Sequence, residues 1–225
     1  MNKIFTLSFD DGVKQDKKLI EILDRYNIKC TFNINYGLLG NIGKTTNKNL
    51  KQVDYSKFKE DEIVEVYKNH EVGGHGLNHL SLTSISLEEA NKEISIDKKS
   101  LEKLLNKEVI IFAYPYGDYN NDVINLLKTN GYLASRNVES TYDFKFPKDN
   151  FTFCPTCHYN DPKLMELAHK FINSDEPSLF YVWGHSYELD QYDNYEVIEN
   201  LCKLLYEHKD EISFLTNGEV IKLLK

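Results

Sequence analysis

Ser8-Phe9-Asp10-Asp11-Gly12 ends an apolar, β-favouring run, Lys3-Ile4-Phe5-Thr6-Leu7, and precedes a helix-like run from Val13 to Tyr26. Two adjacent carboxylates and a glycine at the end of a first strand are poorly explained by packing. Like charges repel, and neither is buried without a partner. The plain alternative is a strand-terminating turn, since Asp and Gly favour turns and Asp caps helices. A second stretch bears on the choice: Glu71-Val72-Gly73-Gly74-His75-Gly76-Leu77-Asn78-His79. Two histidines four apart lie on one face of a helical turn and can converge on one ion. With seven His in 225 residues, such a pair arises about 0.2 times by chance, so it carries little alone. Beside the carboxylates it becomes a possible His-His-Asp site. Three protein ligands leave a zinc-like ion one open position, the arrangement of a catalytic site, and the spare carboxylate can take a proton.

In this company the chain resembles the polysaccharide deacetylase family, also called the NodB-homology or carbohydrate esterase family 4 domain. Ser8-Phe9-Asp10-Asp11-Gly12 is similar to its first motif and His75-Gly76-Leu77-Asn78-His79 to its second. Phe112-Ala113-Tyr114-Pro115-Tyr116-Gly117 matches the third, and Leu179-Phe180-Tyr181-Val182-Trp183-Gly184-His185 the last, in the family's order. The resemblance implies a distorted (β/α) barrel that binds a divalent metal and removes acetyl groups from sugars. It implies Asp11, His75 and His79 as metal ligands and Asp10 as general base. It also implies His185 as general acid and the backbone N–H of Tyr116 as an oxyanion donor. Zinc is the first expectation for the metal, with cobalt, nickel or manganese as alternatives.

Three departures from the family pattern stand out. Gly76 occupies a position usually held by Ser or Thr, and Ala113 stands where an arginine often pairs with the base. The tryptophan-bearing fourth motif, which supplies an acid behind the catalytic histidine, is not recognisable. The third and last motifs, with the ending Trp183-Gly184-His185-Ser186-Tyr187-Glu188, look closer to a branch found with gellan lyase-like proteins. A carboxylate base beside a metal needs a cation to hold it. Arg136 ends the run Tyr132-Leu133-Ala134-Ser135-Arg136, so its guanidinium is expected to reach Asp10 from a neighbouring strand and replace the missing arginine. Tyr114, Trp183, Tyr187 and His158 are the candidate substrate contacts.

The 225 residues suit one domain over 1–225, with 41% apolar and 28% charged residues as in ordinary globular chains. A net charge of −8 without a dense basic patch argues against nucleic acid as a partner. No stretch approaches a membrane-spanning length, and no signal-like segment precedes the first strand, so a cytoplasmic location is expected. Four cysteines are too few for a disulfide scaffold in a chain this long; Cys154-Pro155-Thr156-Cys157-His158 reads as two ordinary thiols, although it formally matches a haem-attachment pattern.

In chain order, Leu19, Ile20, Ile22 and Leu23 form an apolar stripe, and Lys29 to Asn35 reads as the second strand. Tyr36 to about Ser56 reads as a surface loop. A short helix, 60–69, precedes the strand leading into His75. Ser86-Leu87-Glu88-Glu89 is a capping box opening a helix to about Asn106, with Ala90, Ile94, Leu101 and Leu105 inward. Val109 to Ala113 is a strand, 121–130 a helix, and Tyr132 to Val138 the fifth strand. After an irregular 139–160, helices near 161–173 and 194–208 alternate with strands near 179–184 and 211–215. A short helix closes the chain. Alternation throughout predicts a parallel α/β architecture; with the distorted (β/α) barrel that the resemblance implies, six or seven parallel strands are expected, with the chemistry at their C-terminal ends. The resemblance implies an acetylated sugar or oligosaccharide as the partner. An amidase acting on a small ureido or cyclic amide, and a carbohydrate-binding pseudoenzyme, are the competing readings.

Overall fold

The first strand alternates Phe5, Leu7 and Phe9 with Thr6, Ser8 and Asp10, a period of two that ordinarily marks one dry and one wet face. In the computed structural model, which describes residues 3–46 and 51–224, both faces of this strand are buried. The strand is β1 (Lys3–Asp10). It is followed by α1 (Asp16–Arg25), β2 (Thr31–Ile34), β3 (Lys44–Thr46), β4 (Gln52–Asp54), α2 (Glu60–Val66), β5 (Glu71–Gly74) and α3 (Leu87–Leu105). Then come β6 (Ile111–Ala113), α4 (Asn121–Thr129), β7 (Ala134–Arg136), β8 (Cys157–His158) and α5 (Leu164–Ile172). The chain ends with β9 (Leu179–His185), α6 (Ser186–Tyr192), α7 (Tyr195–Tyr206), β10 (Ile212–Phe214) and α8 (Asn217–Leu223).

The main sheet runs β7-β6-β5-β2-β1-β9-β8, with β10 pairing β1 off that path, and its strands pair in parallel. This is the expected α/β architecture, a curled parallel sheet wrapped in helices, with eight strands among the described residues in place of the six or seven expected. Phe153 bridges Arg136 of β7, while Cys157 and His158 pair with β9, so one short stretch touches both ends of the sheet. Phe5, Leu7 and Phe9 pack outward with Phe32, Val182 and the helix residues Leu19 and Leu23. The polar face of β1 turns into the curl. Ser8 Oγ lies 2.9 Å from Tyr181 Oη, which donates to Asn217 Oδ1 at 2.8 Å, and Asn217 Nδ2 donates to Thr6 Oγ1 at 2.8 Å. The alternation therefore separates an apolar shell from a satisfied polar interior, which is what allows buried hydroxyls there.

The α1 stripe is buried as expected, and α3 opens on the expected capping box: the Ser86 hydroxyl accepts from Glu89 N, and the Glu89 carboxylate accepts from Ser86 N at 3.1 Å. Ala90, Ile94 and Leu101 face inward, with Leu105 partly buried. Three expectations need correction. The 36–56 loop contains a one-turn 3-10 helix, Tyr36–Leu38, and the antiparallel pair β3–β4; residues 47–50 of it lie outside the described residues. The irregular 139–160 stretch holds β8 and a 3-10 turn, Asn150–Thr152. Helix α6, directly after β9, was not anticipated at all. The cysteines are free, and no helix of the described residues is long and apolar enough to cross a membrane.

Candidate active site

The C-terminal ends of β1, β5, β6, β7 and β9 meet around a cleft of about 590 Å³. Asp10, the last residue of β1, stands in register with Asn33 of β2 and His185 of β9. Asn33 Nδ2 donates to Asp10 Oδ1 at 2.8 Å, and Arg136 donates to Oδ2. Burial alone raises the Asp10 pKa, but the charges of Arg136, His75 and His185, with the Asn33 bond, bring it below the ordinary carboxylate value. Asp10 is thus an ionised, doubly held acceptor. Arg136 is level with Ala113 in the β6–β7 register, so the cation sits one strand away from the position where the family pattern carries it. Strands β6, β5 and β2 lie between β7 and β1 in the sheet. The side chains meet because the sheet curls. The Trp183 ring covers the guanidinium, whose Cζ lies 4.4 Å from the ring centroid.

Asp11 follows with φ of +86°, in the left-handed half of backbone space that non-glycine residues adopt only when held. Its N–H donates to Asn33 O at 2.9 Å, and its carbonyl accepts from Lys57 Nζ at 2.7 Å. Oδ2 accepts from the Tyr55 hydroxyl at 2.8 Å, while Oδ1 is buried and has no hydrogen-bond partner among the described residues. Lys57 Nζ at 3.6 Å, and His75 Nε2 and His79 Nε2 at 3.9 and 3.8 Å, face that oxygen. His75 Nδ1 lies 2.8 Å from the Ala113 carbonyl, which accepts only; Nδ1 therefore carries the proton and Nε2 keeps its lone pair. Burial, chiefly, lowers the His75 pKa to about 4 and lowers that of His79 as well, so both rings are neutral at pH 7. One carboxylate oxygen without a hydrogen bond and two neutral imidazoles, with ligand atoms within 4.8 Å of one another, fit a divalent cation. The helical turn read from the His75–His79 spacing is absent. Gly76 and His79 take φ of +75° and +57°, and it is this left-handed turn that folds the second ring back onto the first.

A third group lies across the cleft. His185 ends β9, and Glu188, in the first turn of α6, has Oε1 3.6 Å from His185 Nδ1. Glu188 Oε2 lies 3.1 Å from His158 Nε2. Burial opposes charge on His185, yet Glu188, Asp11 and Asp10 raise its pKa above the ordinary imidazole value. The same imidazoles lower Glu188 to about 2 against its burial. The cleft walls include Tyr55, Tyr116, Trp183 and Tyr187. Tyr116 is 63% exposed, sits at φ of +61° between Pro115 and Gly117, and packs its ring on His79. Two candidate contacts are set further back than the others. Tyr114 reaches the cleft but is 1% exposed, stacked on Tyr119 with its hydroxyl donating to Phe151 O at 2.9 Å, so it is wall rather than platform. His158 lies behind His185 and Trp183 and does not line the cleft.

Comparison with known proteins adds to this geometry. The family model described as polysaccharide deacetylase matches residues 1–135. The chain belongs to the polysaccharide deacetylase family. It is 30% identical over 135 residues to a peptidoglycan-N-acetylglucosamine deacetylase from Bacillus cereus, an alignment covering 58% of this chain and 54% of the relative. The chain spans about half or less of the length of the curated relatives it matches. Its fold is shared with the carbohydrate esterase family 4 domain of a multidomain xylanase from the hindgut metagenome of Trinervitermes trinervoides, at TM-score 0.64 and 16% identity, covering 100% of this chain and 92% of that one. A carbohydrate esterase family 4 pseudoenzyme from Bacillus anthracis shares it too, at TM-score 0.62 and 16% identity, covering 98% of this chain and 66% of that one.

The matched segment holds Asp10, Asp11, His75, His79 and Tyr116, whereas Arg136 and His185 lie just or well beyond it. Those two are brought to the site by the fold, Arg136 through its contact with Asp10 and His185 as part of the cleft lining. Sequence reasoning missed Asn33, Tyr55, Lys57 and Glu188. Glu188 had a legible signal, a carboxylate three residues after a histidine, which share a face once a helix starts there. Tyr55 and Lys57 had none, because they come from a stretch without periodicity.

Proposed function

We propose that this chain is a metal-dependent hydrolase that removes acetyl groups from an acetylated sugar or oligosaccharide. The observation that supports it most is the convergence, on one cleft, of an ionised carboxylate clamped by Arg136, a three-ligand cation site, and a histidine whose pKa is raised. Asp11, His75 and His79 would hold the ion, which when bound supplies positive charge that polarises an acetyl carbonyl and makes water more acidic. One carboxylate and two imidazoles suit zinc, with cobalt, nickel or manganese also compatible.

The chain's own groups divide the proton work. Asp10, with Oδ1 held by Asn33 and Oδ2 by Arg136, accepts the proton of the attacking water. The left-handed turn at Tyr116 offers its backbone N–H to the developing oxyanion. His185 gives a proton to the sugar nitrogen or oxygen as it leaves. Trp183, Tyr187 and Tyr116 supply the ring faces against which a sugar packs. The relative from Bacillus cereus, by its name, acts on N-acetylglucosamine in peptidoglycan, which makes N-acetylated hexosamines the first substrates to try.

The test is acetate release by the zinc-loaded protein from N-acetylated chito-oligosaccharides and O-acetylated xylo-oligosaccharides, beside a chelator-treated control. Metal-dependent release from either series is expected. Stoichiometric metal without acetate release, but with binding of the same sugars, would make the chain a pseudoenzyme; opening of a cyclic amide instead would make it an amidase.

A further inference from the structure

Two clusters in this molecule bring histidines and a carboxylate together: Asp11 with His75 and His79, and Glu188 with His158 and His185. What each can do is decided by the partner of a ring nitrogen. His75 Nδ1 faces a backbone carbonyl, which fixes a proton there and frees Nε2 for a cation. His158 Nδ1 instead accepts the backbone N–H of Asn160 at 3.2 Å. A nitrogen that accepts carries no proton, so neutral His158 is protonated on Nε2, the nitrogen 3.1 Å from Glu188 Oε2, a close contact that falls short of hydrogen-bond geometry. A cation at that nitrogen would require the proton to move to Nδ1, against the Asn160 N–H. The second cluster is therefore built for protons rather than for metal.

Its other end is His185. His185 Nδ1 is buried and makes no hydrogen bond to the described residues; Glu188 Oε1, at 3.6 Å, is the carboxylate oxygen facing it. Rings box the imidazole in, with Trp183 at 5.4 Å and Tyr187 at 5.3 Å between centroids. His158 in turn packs edge-on against Trp183 at 4.9 Å. We propose that Glu188, held by His158, is a positioning residue that keeps a proton on His185 Nδ1 and so makes Nε2 the nitrogen that trades protons with the cleft. In the transfer, the Nε2–H bond of the imidazolium breaks and a bond from that proton to the leaving sugar nitrogen forms, while the Nδ1 proton stays between His185 and Glu188. This places in α6 the acidic partner that the family pattern carries in a motif not recognisable here. The inference rests on His185 as the proton donor.

The test combines nitrogen-15 NMR of the His185 ring in the metal-free protein with kinetics of the zinc-loaded protein. Neutral His185 should carry its proton on Nδ1 in the wild type and lose that preference in Glu188→Gln. On an N-acetylated chito-oligosaccharide, Glu188→Gln should lower kcat about 10- to 100-fold with KM little changed. On 4-nitrophenyl acetate, whose phenolate departs without a proton, the loss should be several-fold smaller. Glu188→Asp should recover part of the rate, and His158→Ala should show a weaker form of the same selective loss. A wild-type His185 protonated on Nε2 overturns the proposal even if the Glu188→Gln variant fails to fold. Equal losses on both substrates overturn it as well. His185→Ala is the separate check: full turnover of the N-acetylated sugar there would sink the acid reading itself, whereas loss there with the wrong tautomer would sink only the role of Glu188.

Discussion

The Arg136 guanidinium and the Asp10 carboxylate, 126 positions apart in the chain, form an ion pair with side chains only 1% and 2% exposed. Such a pair contributes little net stability, because removing both charges from water offsets most of their attraction. Its effect lies elsewhere. It keeps Asp10 ionised inside the protein and fixes the direction of one carboxylate oxygen, while Asn33 fixes the other.

Breaking the pair from one side leaves a buried charge alone. Arg136→Ala should cost about 3–5 kcal/mol in urea unfolding at neutral pH, and Arg136→Lys less. The pH dependence has a definite sign. The folded pKa of Asp10 lies below the ordinary 3.8, so the pair's contribution is complete above about pH 4 and is lost as pH falls through the lowered folded value. The stability gap between wild type and Arg136→Ala should therefore narrow in acid. A gap of constant size would mean that Asp10 is not the group responsible.

Asp10 and Asp11 are neighbours with different surroundings, and their amides should separate the two roles. Asp10→Asn keeps the Asn33 side of the site, touches no ligand, and should retain the metal while kcat falls about 10²- to 10⁴-fold. Asp11→Asn should weaken metal binding and activity together. Metal content per chain and acetate release, measured on the same preparations, decide this; a wild-type rate in Asp10→Asn would remove that residue from the proton transfer.

The uneven legibility of this chain has physical causes. Strand-helix alternation and the Asp10, Asp11, His75 and His79 pattern could be read because they are local in sequence. The apolar stripe of α1 and the Ser86 capping box were equally local. The Arg136–Asp10 contact follows from the need of a buried carboxylate for a cation and from the place of Arg136 at a strand end; what the sequence does not show is that the pair crosses the mouth of a curled sheet, with β6, β5 and β2 between its two strands. Thr6 and Ser8 look solvent-facing because period-two alternation does not distinguish water from a hydrogen-bonded interior. The His75–His79 spacing suggested a helix, and only the positive φ values at Gly76 and His79 show otherwise. Tyr55 and Lys57 reach Asp11 from a segment whose composition says only loop.

The cation site should be visible in stability as well as in activity. A ligand that binds only the folded state stabilises it by about 2.7 kcal/mol at a hundredfold excess over Kd. Adding a chelator should lower Tm for the wild-type protein loaded with zinc and leave the His75→Ala/His79→Ala variant unchanged. Elemental analysis should find about one divalent ion per wild-type chain and none in that variant. Full occupancy in the double variant would move the site elsewhere.

Tyr55 offers the sharpest test of how Asp11 is held for that ion. Its hydroxyl donates to Asp11 Oδ2 at 2.8 Å, leaving Oδ1 as the oxygen aimed at His75 and His79. Burial and the adjacent Asp11 charge push the Tyr55 pKa far above its usual value, so the hydroxyl remains a donor at every accessible pH. Its ring is edge-on to Tyr187 at 5.0 Å, and Lys57 Nζ lies 4.2 Å above it. Tyr55→Phe keeps those ring contacts and deletes only the hydrogen bond, freeing the carboxylate to rotate. Partners of this kind are worth about 10- to 100-fold in metal affinity. Competition with a chromogenic chelator should therefore show zinc bound that much more weakly in Tyr55→Phe, with kcat at saturating zinc reduced far less than the affinity. An unchanged affinity would mean that the strand end, Lys57 and the left-handed backbone at Asp11 orient the ligand without help from the hairpin.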